Sequence, residues 1–248
     1  MKQAAVIFLI AFISIAQGSA QVQTEERKHT PLDITREVRV KIVYDQFFAK
    51  EAESLVTRLG VAPSSKWSAR TPEDIAVALL ANLSKKYADE FGITLIPIRP
   101  FTNIILPRSD LTDNAYASIL RQAPCDGANI LLGFTGLYLA RAKNGELFGE
   151  AGNIYTSAAH DPAGGRVFVR LFSEIANPEE ALNATMHRLD HEMRHVFGAL
   201  HPPGVVSNSF EEKLFFEQSP SVILTNRSKP LTCEFTSNQS AHKKEGTP

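Results

Sequence analysis

Residues 191–201 read His191-Glu192-Met193-Arg194-His195-Val196-Phe197-Gly198-Ala199-Leu200-His201. Each fixed position constrains the backbone. On a helix, residues four apart share a face, so His191 and His195 can bring both imidazoles to one ion. Glu192 lies beside them, where a carboxylate can take a proton from an attacking water. Gly198 supplies a positive-φ residue that lets the chain leave the helix. His201 can then swing back as a third ligand. Three histidines on zinc leave the fourth position open, the mark of a catalytic rather than a structural site. The stretch thus dictates a helix, its stop and a return. A bare HExxH arises by chance fairly often, but the extended form is far more specific.

The flanking sequence supplies that helix. In Asn177-Pro178-Glu179-Glu180, Asn is an N-cap, Pro suits the first helical position and Glu follows three residues after the cap. Leu182, Met186, Leu189, Met193 and Val196 recur at helical spacing and form a core-facing stripe. At about 100° per residue, His191 and His195 fall on the side away from Leu182. One face packs inward while the other presents ligands to a cleft. His187, one turn before His191, is either an ordinary polar-face histidine or a contact to a ligand or substrate. Asp190 can hydrogen-bond locally or orient a neighbour. His160-Asp161 reads as a turn beside Pro162, or as part of a second metal site.

Upstream, Val38, Val40, Ile42 and Tyr44 alternate with polar residues and predict a strand. Asp45–Leu59 predicts a helix ending at Gly60. A second helix starts at Thr71-Pro72-Glu73-Asp74, buries Ile75, Leu79, Leu83 and Tyr87, and stops at Gly92. Ile93–Ile98 predicts a strand that Pro97 makes irregular or places at an edge. Leu111–Gln122 suggests a short helix. Ala128–Thr135 is apolar enough to be buried on both faces. Glu146–Tyr155 is weakly extended, Arg166–Phe172 is a strand, and little regular pattern follows His201. The expected class is α/β (α+β): a twisted, mostly parallel sheet backed by two long helices. The motif helix closes an N-terminal subdomain, and a small irregular C-terminal subdomain starts near residue 202.

The ends of the chain read as targeting and tail. Lys2 precedes an apolar run, Ala4 to Ala16, and Gly18-Ser19-Ala20 offers a peptidase site before Gln21. The run falls short of the roughly 20 residues of a membrane span. Residues 1–20 are therefore expected to be a signal peptide, with an uncleaved anchor as the other reading. Residues 21–35 form a polar segment, 36–235 the catalytic domain and 236–248 a disordered tail. The product would be secreted or periplasmic, with no membrane association after cleavage. A formal net charge of −1 and the lack of a basic block argue against a nucleic-acid partner. Cys125 and Cys233 are the chain's two cysteines. In an exported chain they suggest one disulfide, or alternatively Cys125 as an inhibitory zinc ligand. Four glycosylation sequons start at Asn82, Asn183, Asn226 and Asn238, and Asn183 falls inside the predicted motif helix.

The motif and the order of elements before it, over about Val38–His201, resemble the metzincin clan of zinc metallopeptidases. The resemblance implies His191, His195 and His201 as ligands of one catalytic zinc ion, and Glu192 as catalytic base. It places an edge strand that pairs with extended peptide near Glu146–Ile154. Metzincins carry a methionine-containing turn beneath the zinc, yet Met1, Met186 and Met193 all precede His201. Ser221-Val222-Ile223-Leu224 resembles that turn with Ile223 in the methionine's place. No Tyr follows His201, so the fifth ligand of some subfamilies is missing. The expected function is an exported zinc-dependent endopeptidase acting on protein or peptide substrates, its oligomeric state open. The alternatives are a zinc-binding protein without catalysis and a zinc hydrolase acting on another amide, such as a cell-wall peptide.

Overall fold

A computed structural model describes residues 36–61, 67, 69–107, 116, 119–120, 122–137, 139–140, 146–147, 149–151, 165–201 and 209–233. The segments expected to be signal peptide, polar leader and tail, together with His160 and Asp161, lie outside the described residues.

The frame is a five-stranded sheet. Its strands are β1 (Arg36–Asp45), β2 (Ile93–Ile104), β3 (Ile130–Thr135), β6 (Gly149–Ala151) and β7 (Gly165–Arg170), in the order β2-β1-β3-β7-β6. Four strands run parallel, and β6 joins β7 antiparallel at one edge. A separate ribbon pairs β4 (Leu139–Ala140) with β5 (Glu146–Leu147). All six residues of β3 and all six of β7 are buried, as parallel strands covered on both faces must be. β2 forms the other edge, where prolines at 97 and 100 cost no needed ladder donor. Its pairing with β1 slips between Lys41 and Val43, which accommodates residues 99–101.

Four long helices stand among the described residues: α1 (Gln46–Val61), α2 (Pro72–Phe91), α3 (Pro178–Val196) and α4 (Ser209–Asn226). The Asp45 carboxylate accepts the Phe48 amide at 2.7 Å and so caps α1. α2 starts where predicted and adds a capping box: Thr71 and Asp74 exchange side-chain-to-backbone hydrogen bonds at 3.1 and 3.0 Å. Gly92, at φ 67°, ends it. Asn177 caps α3 by accepting the amides of Glu179 and Glu180.

The sheet separates two apolar layers. Val38, Val40 and Ile42 of β1, Leu132 and Phe134 of β3 and Val169 of β7 face the helices, where Leu79, Leu83, Leu182, Leu189 and Met193 meet them. The other face holds Val43, Leu131 and Phe168 under Tyr116 and Leu120, both helical as the sequence predicts. The architecture is thus α/β with a largely parallel sheet.

The C-terminal region holds more regular structure than the sequence pattern suggests. Apolar residues of α4 are scattered round the helix, with Leu214, Phe215 and Phe216 in succession and Pro220 in its interior. No single stripe therefore marks it as helical. Its buried row is Phe215, Ser219 and Ile223. Residues 221–224, which the resemblance implied as a turn, are helical, and Ile223 belongs to the main core.

Candidate metal centre

α3 lies against β7 and β6 and carries the first part of the site on its outer turns. The helix ends as the motif demands. Gly198 adopts φ +89°, a region that side chains disfavour. A Cβ there would also sit 2.6 Å from the Asn226 amide nitrogen. That amide donates to the Phe197 carbonyl at 2.9 Å, joining the ends of α3 and α4. The chain then turns and returns His201.

One ligand atom from each of His191, His195 and His201 lies within 4.8 Å of the others. Ring centroids are 5.0 Å apart for His191 and His195, 5.0 Å for His191 and His201, and 4.9 Å for His195 and His201. The Nε2 atoms of His191 and His195 stand 3.3 Å apart. Two nitrogens bound tetrahedrally at about 2.0–2.1 Å would be about 3.3 Å apart. The spacing of this pair therefore fits zinc, and His201 brings a third imidazole donor within 4.8 Å of both. His191 is buried, His195 half-buried and His201 exposed, so the triad opens to solvent on one side.

Burial pushes His191 down to about 2, and the charges of His195 and Arg188 push it the same way. Burial likewise pushes His195 down to about 4, against the hydrogen bond to Ala199. Both imidazoles are neutral at ordinary pH, with lone pairs available to a metal. His195 Nδ1 meets the Ala199 carbonyl at 2.7 Å. A donating Nδ1–H there turns Nε2 toward its partners.

Glu192 is buried beside the triad, with Arg188 Nη1 3.7 Å from its carboxylate. Glu192 follows His191 directly on the last turns of α3, so the expected base is a buried carboxylate on the helix that carries the first two histidines. Asp190, on the packed side, receives Lys86 at 2.5 Å and Arg194 at 3.0 Å, which makes it an anchor between α2 and α3. His187 is exposed and contacts Glu212 at 2.9 Å.

Sequence reasoning missed the contribution of α4. The Phe215 ring lies 4.5, 4.7 and 4.9 Å from the rings of His191, His195 and His201. Phe215 therefore forms an apolar support for all three rings, a role the sequence did not assign to it. Arg194 holds α4 in place: it donates to Ser219 Oγ at 2.6 Å and stacks 4.6 Å from Phe216. The one legible hint was the Phe215-Phe216 pair soon after the motif.

Cys125 and Cys233 form a disulfide in the layer on the far face of the sheet. This overturns the reading of Cys125 as an inhibitory ligand, because its sulfur is already bonded. Asn82 and Asn183 are exposed on helices, whereas the Asn226 amide is occupied by the Phe197 carbonyl. Among the described residues no helix is long and apolar enough to cross a membrane.

No family model matches the sequence, and no curated protein matches it. Among solved structures, an archaemetzincin from Methanopyrus kandleri aligns at a TM-score of 0.49 and 16% identity, covering 77% of this chain and 96% of that one. A zinc-dependent peptidase from Methanocorpusculum labreanum aligns at 0.33 and 13%, covering 70% and 92%. A chain in a chaperone–substrate complex aligns at 0.40 and 12%, covering 70% and 25%.

Proposed function

We propose that this chain is an exported zinc-dependent endopeptidase that hydrolyses peptide bonds at the three-histidine site. The observation that supports it most is that one ligand atom each of His191, His195 and His201 lies within 4.8 Å of the others, with the next residue after His191, Glu192, buried.

His191, His195 and His201 would hold one zinc ion as neutral imidazoles. The ion supplies a Lewis acid and a lowered water pKa, near 7. Glu192 accepts the proton of the attacking water and later delivers it to the leaving amine. Burial restricts the motion of that carboxylate, and Arg188 supplies positive charge 3.7 Å from it. The outer edge of β6, next to α3, offers backbone groups with which an extended peptide can pair.

The test is zinc content and cleavage of a mixed peptide library, with Glu192→Gln beside the wild type. Zinc in both and cleavage by the wild type alone is the expected result. Cleavage by Glu192→Gln at the wild-type rate would remove Glu192 from its role. Zinc in both with cleavage by neither would favour a binding role, and absence of zinc from both would overturn the metal site.

A further inference from the structure

The three imidazoles are unequally supported. His195 Nδ1 has the Ala199 carbonyl at 2.7 Å. His191 Nδ1 is buried and, among the described residues, has no hydrogen-bond partner. Since His191 Nε2 faces His195 Nε2 at 3.3 Å, Nε2 is the atom aimed at the metal position. The proton of the neutral ring then sits on Nδ1. A buried N–H without an acceptor is unfavourable, and a metal-bound imidazole whose other nitrogen has no partner is free to tilt.

One acceptor is near. Glu212 Oε1, on the first turn of α4, stands 3.8 Å from His191 Nδ1 and 2.9 Å from His187 Nε2. His187 stacks on Phe216 with centroids 5.0 Å apart, and the adjacent Phe215 lies against His191. The carboxylate is thus held by His187, which the Phe216 ring steadies in turn. It is 39% exposed, which leaves it free to make the shift of about 1 Å needed for a normal N–H···O distance. Its two oxygens offer about four lone-pair sites, enough to serve both histidines.

We propose that Glu212 is a positioning residue of the metal centre, its carboxylate accepting the His191 Nδ1–H and fixing that ring with Nε2 toward the ion. The proposal rests on the reading of His191, His195 and His201 as metal ligands. It gives His187 a task as well, that of holding Glu212 against the site.

The experiment measures zinc affinity of the full chain by competition with a chromophoric chelator. It compares the wild type with Glu212→Ala, Glu212→Gln, His191→Ala and, as a control on the same helix, Glu217→Ala. Imidazole ¹H–¹⁵N spectra of the zinc-loaded protein are recorded in parallel. Glu212→Ala should weaken zinc binding roughly 10- to 100-fold and shift the His191 Nδ1–H resonance. Glu212→Gln, which keeps an acceptor oxygen, should weaken it less, and Glu217→Ala should leave it unchanged. Should Glu212→Ala fail to fold, the resonance shift in Glu212→Gln carries the test. Wild-type affinity in Glu212→Ala with an unmoved His191 signal would overturn the proposal while leaving the triad intact. Wild-type protein without zinc, or zinc affinity undiminished in His191→Ala, would overturn the triad and the proposal with it.

Discussion

The Phe215 ring stacks on the imidazole of His201, with centroids 4.9 Å apart and planes inclined by 26°. The same ring touches His191 and His195, so one buried residue on α4 supports all three candidate ligands. Truncating it removes both a core ring and the surface against which the imidazoles rest. Phe215→Ala should cost roughly 3–5 kcal/mol of stability and weaken zinc binding, whereas Phe215→Leu should retain most of both. Chemical unfolding with chelator and zinc titration check this. Unchanged zinc affinity in Phe215→Ala would deny Phe215 that supporting role.

Gly198 is held by conformation and by contact at once. Its φ of +89° disfavours any side chain, and Asn226 occupies the space a Cβ would need. Gly198→Ala should destabilise the protein by more than about 1 kcal/mol. Asn226→Ala opens the space, so the double variant should lose less than the sum of the two single losses. Strict additivity in a urea-melt cycle would separate the two sites.

The buried histidines make the metal-free protein sensitive to acid. An unfolded histidine takes up its proton near 6.5, but folded His191 and His195 do so only near 2 and 4. Between these values the unfolded chain binds more protons, so stability falls as pH drops below 6.5. Thermal midpoints in chelator should therefore decline from pH 7 to pH 4. Zinc-loaded protein should hold its midpoint to lower pH, because the ion competes with the protons. A midpoint of the chelated protein that stays level from pH 7 to pH 5 would contradict the burial of these rings.

The disulfide closes a long loop that contains the whole site. Cys125 and Cys233 are 108 residues apart in sequence, and the chain between them includes α3, His201 and α4. Replacing both with serine should cost about 2–5 kcal/mol. The far-face position of the pair predicts that zinc still binds below the melting transition. Tenfold or greater loss of zinc affinity at 20 °C would show instead that the bridge shapes the site.

What the sequence determined by itself is local. The capping of α2 by Thr71 and of α3 by Asn177, the positive-φ stop at Gly198 and the shared face of His191 and His195 depend on residues a few positions apart. Backbone sterics and helical periodicity act over that range, so the order of residues is enough to reveal these features. Pro97 pointed in the same way to an irregularity or an edge in β2, and the sheet shows both. The tertiary structure alone decided what meets the site from elsewhere. Phe215, Ser219 and Glu212 reach α3 from a helix whose scattered apolar residues leave no single stripe, and Ile223 joins the main core. A side chain's neighbours across 20 or more residues are set by how helices pack on the sheet, and no periodicity in the chain encodes that contact.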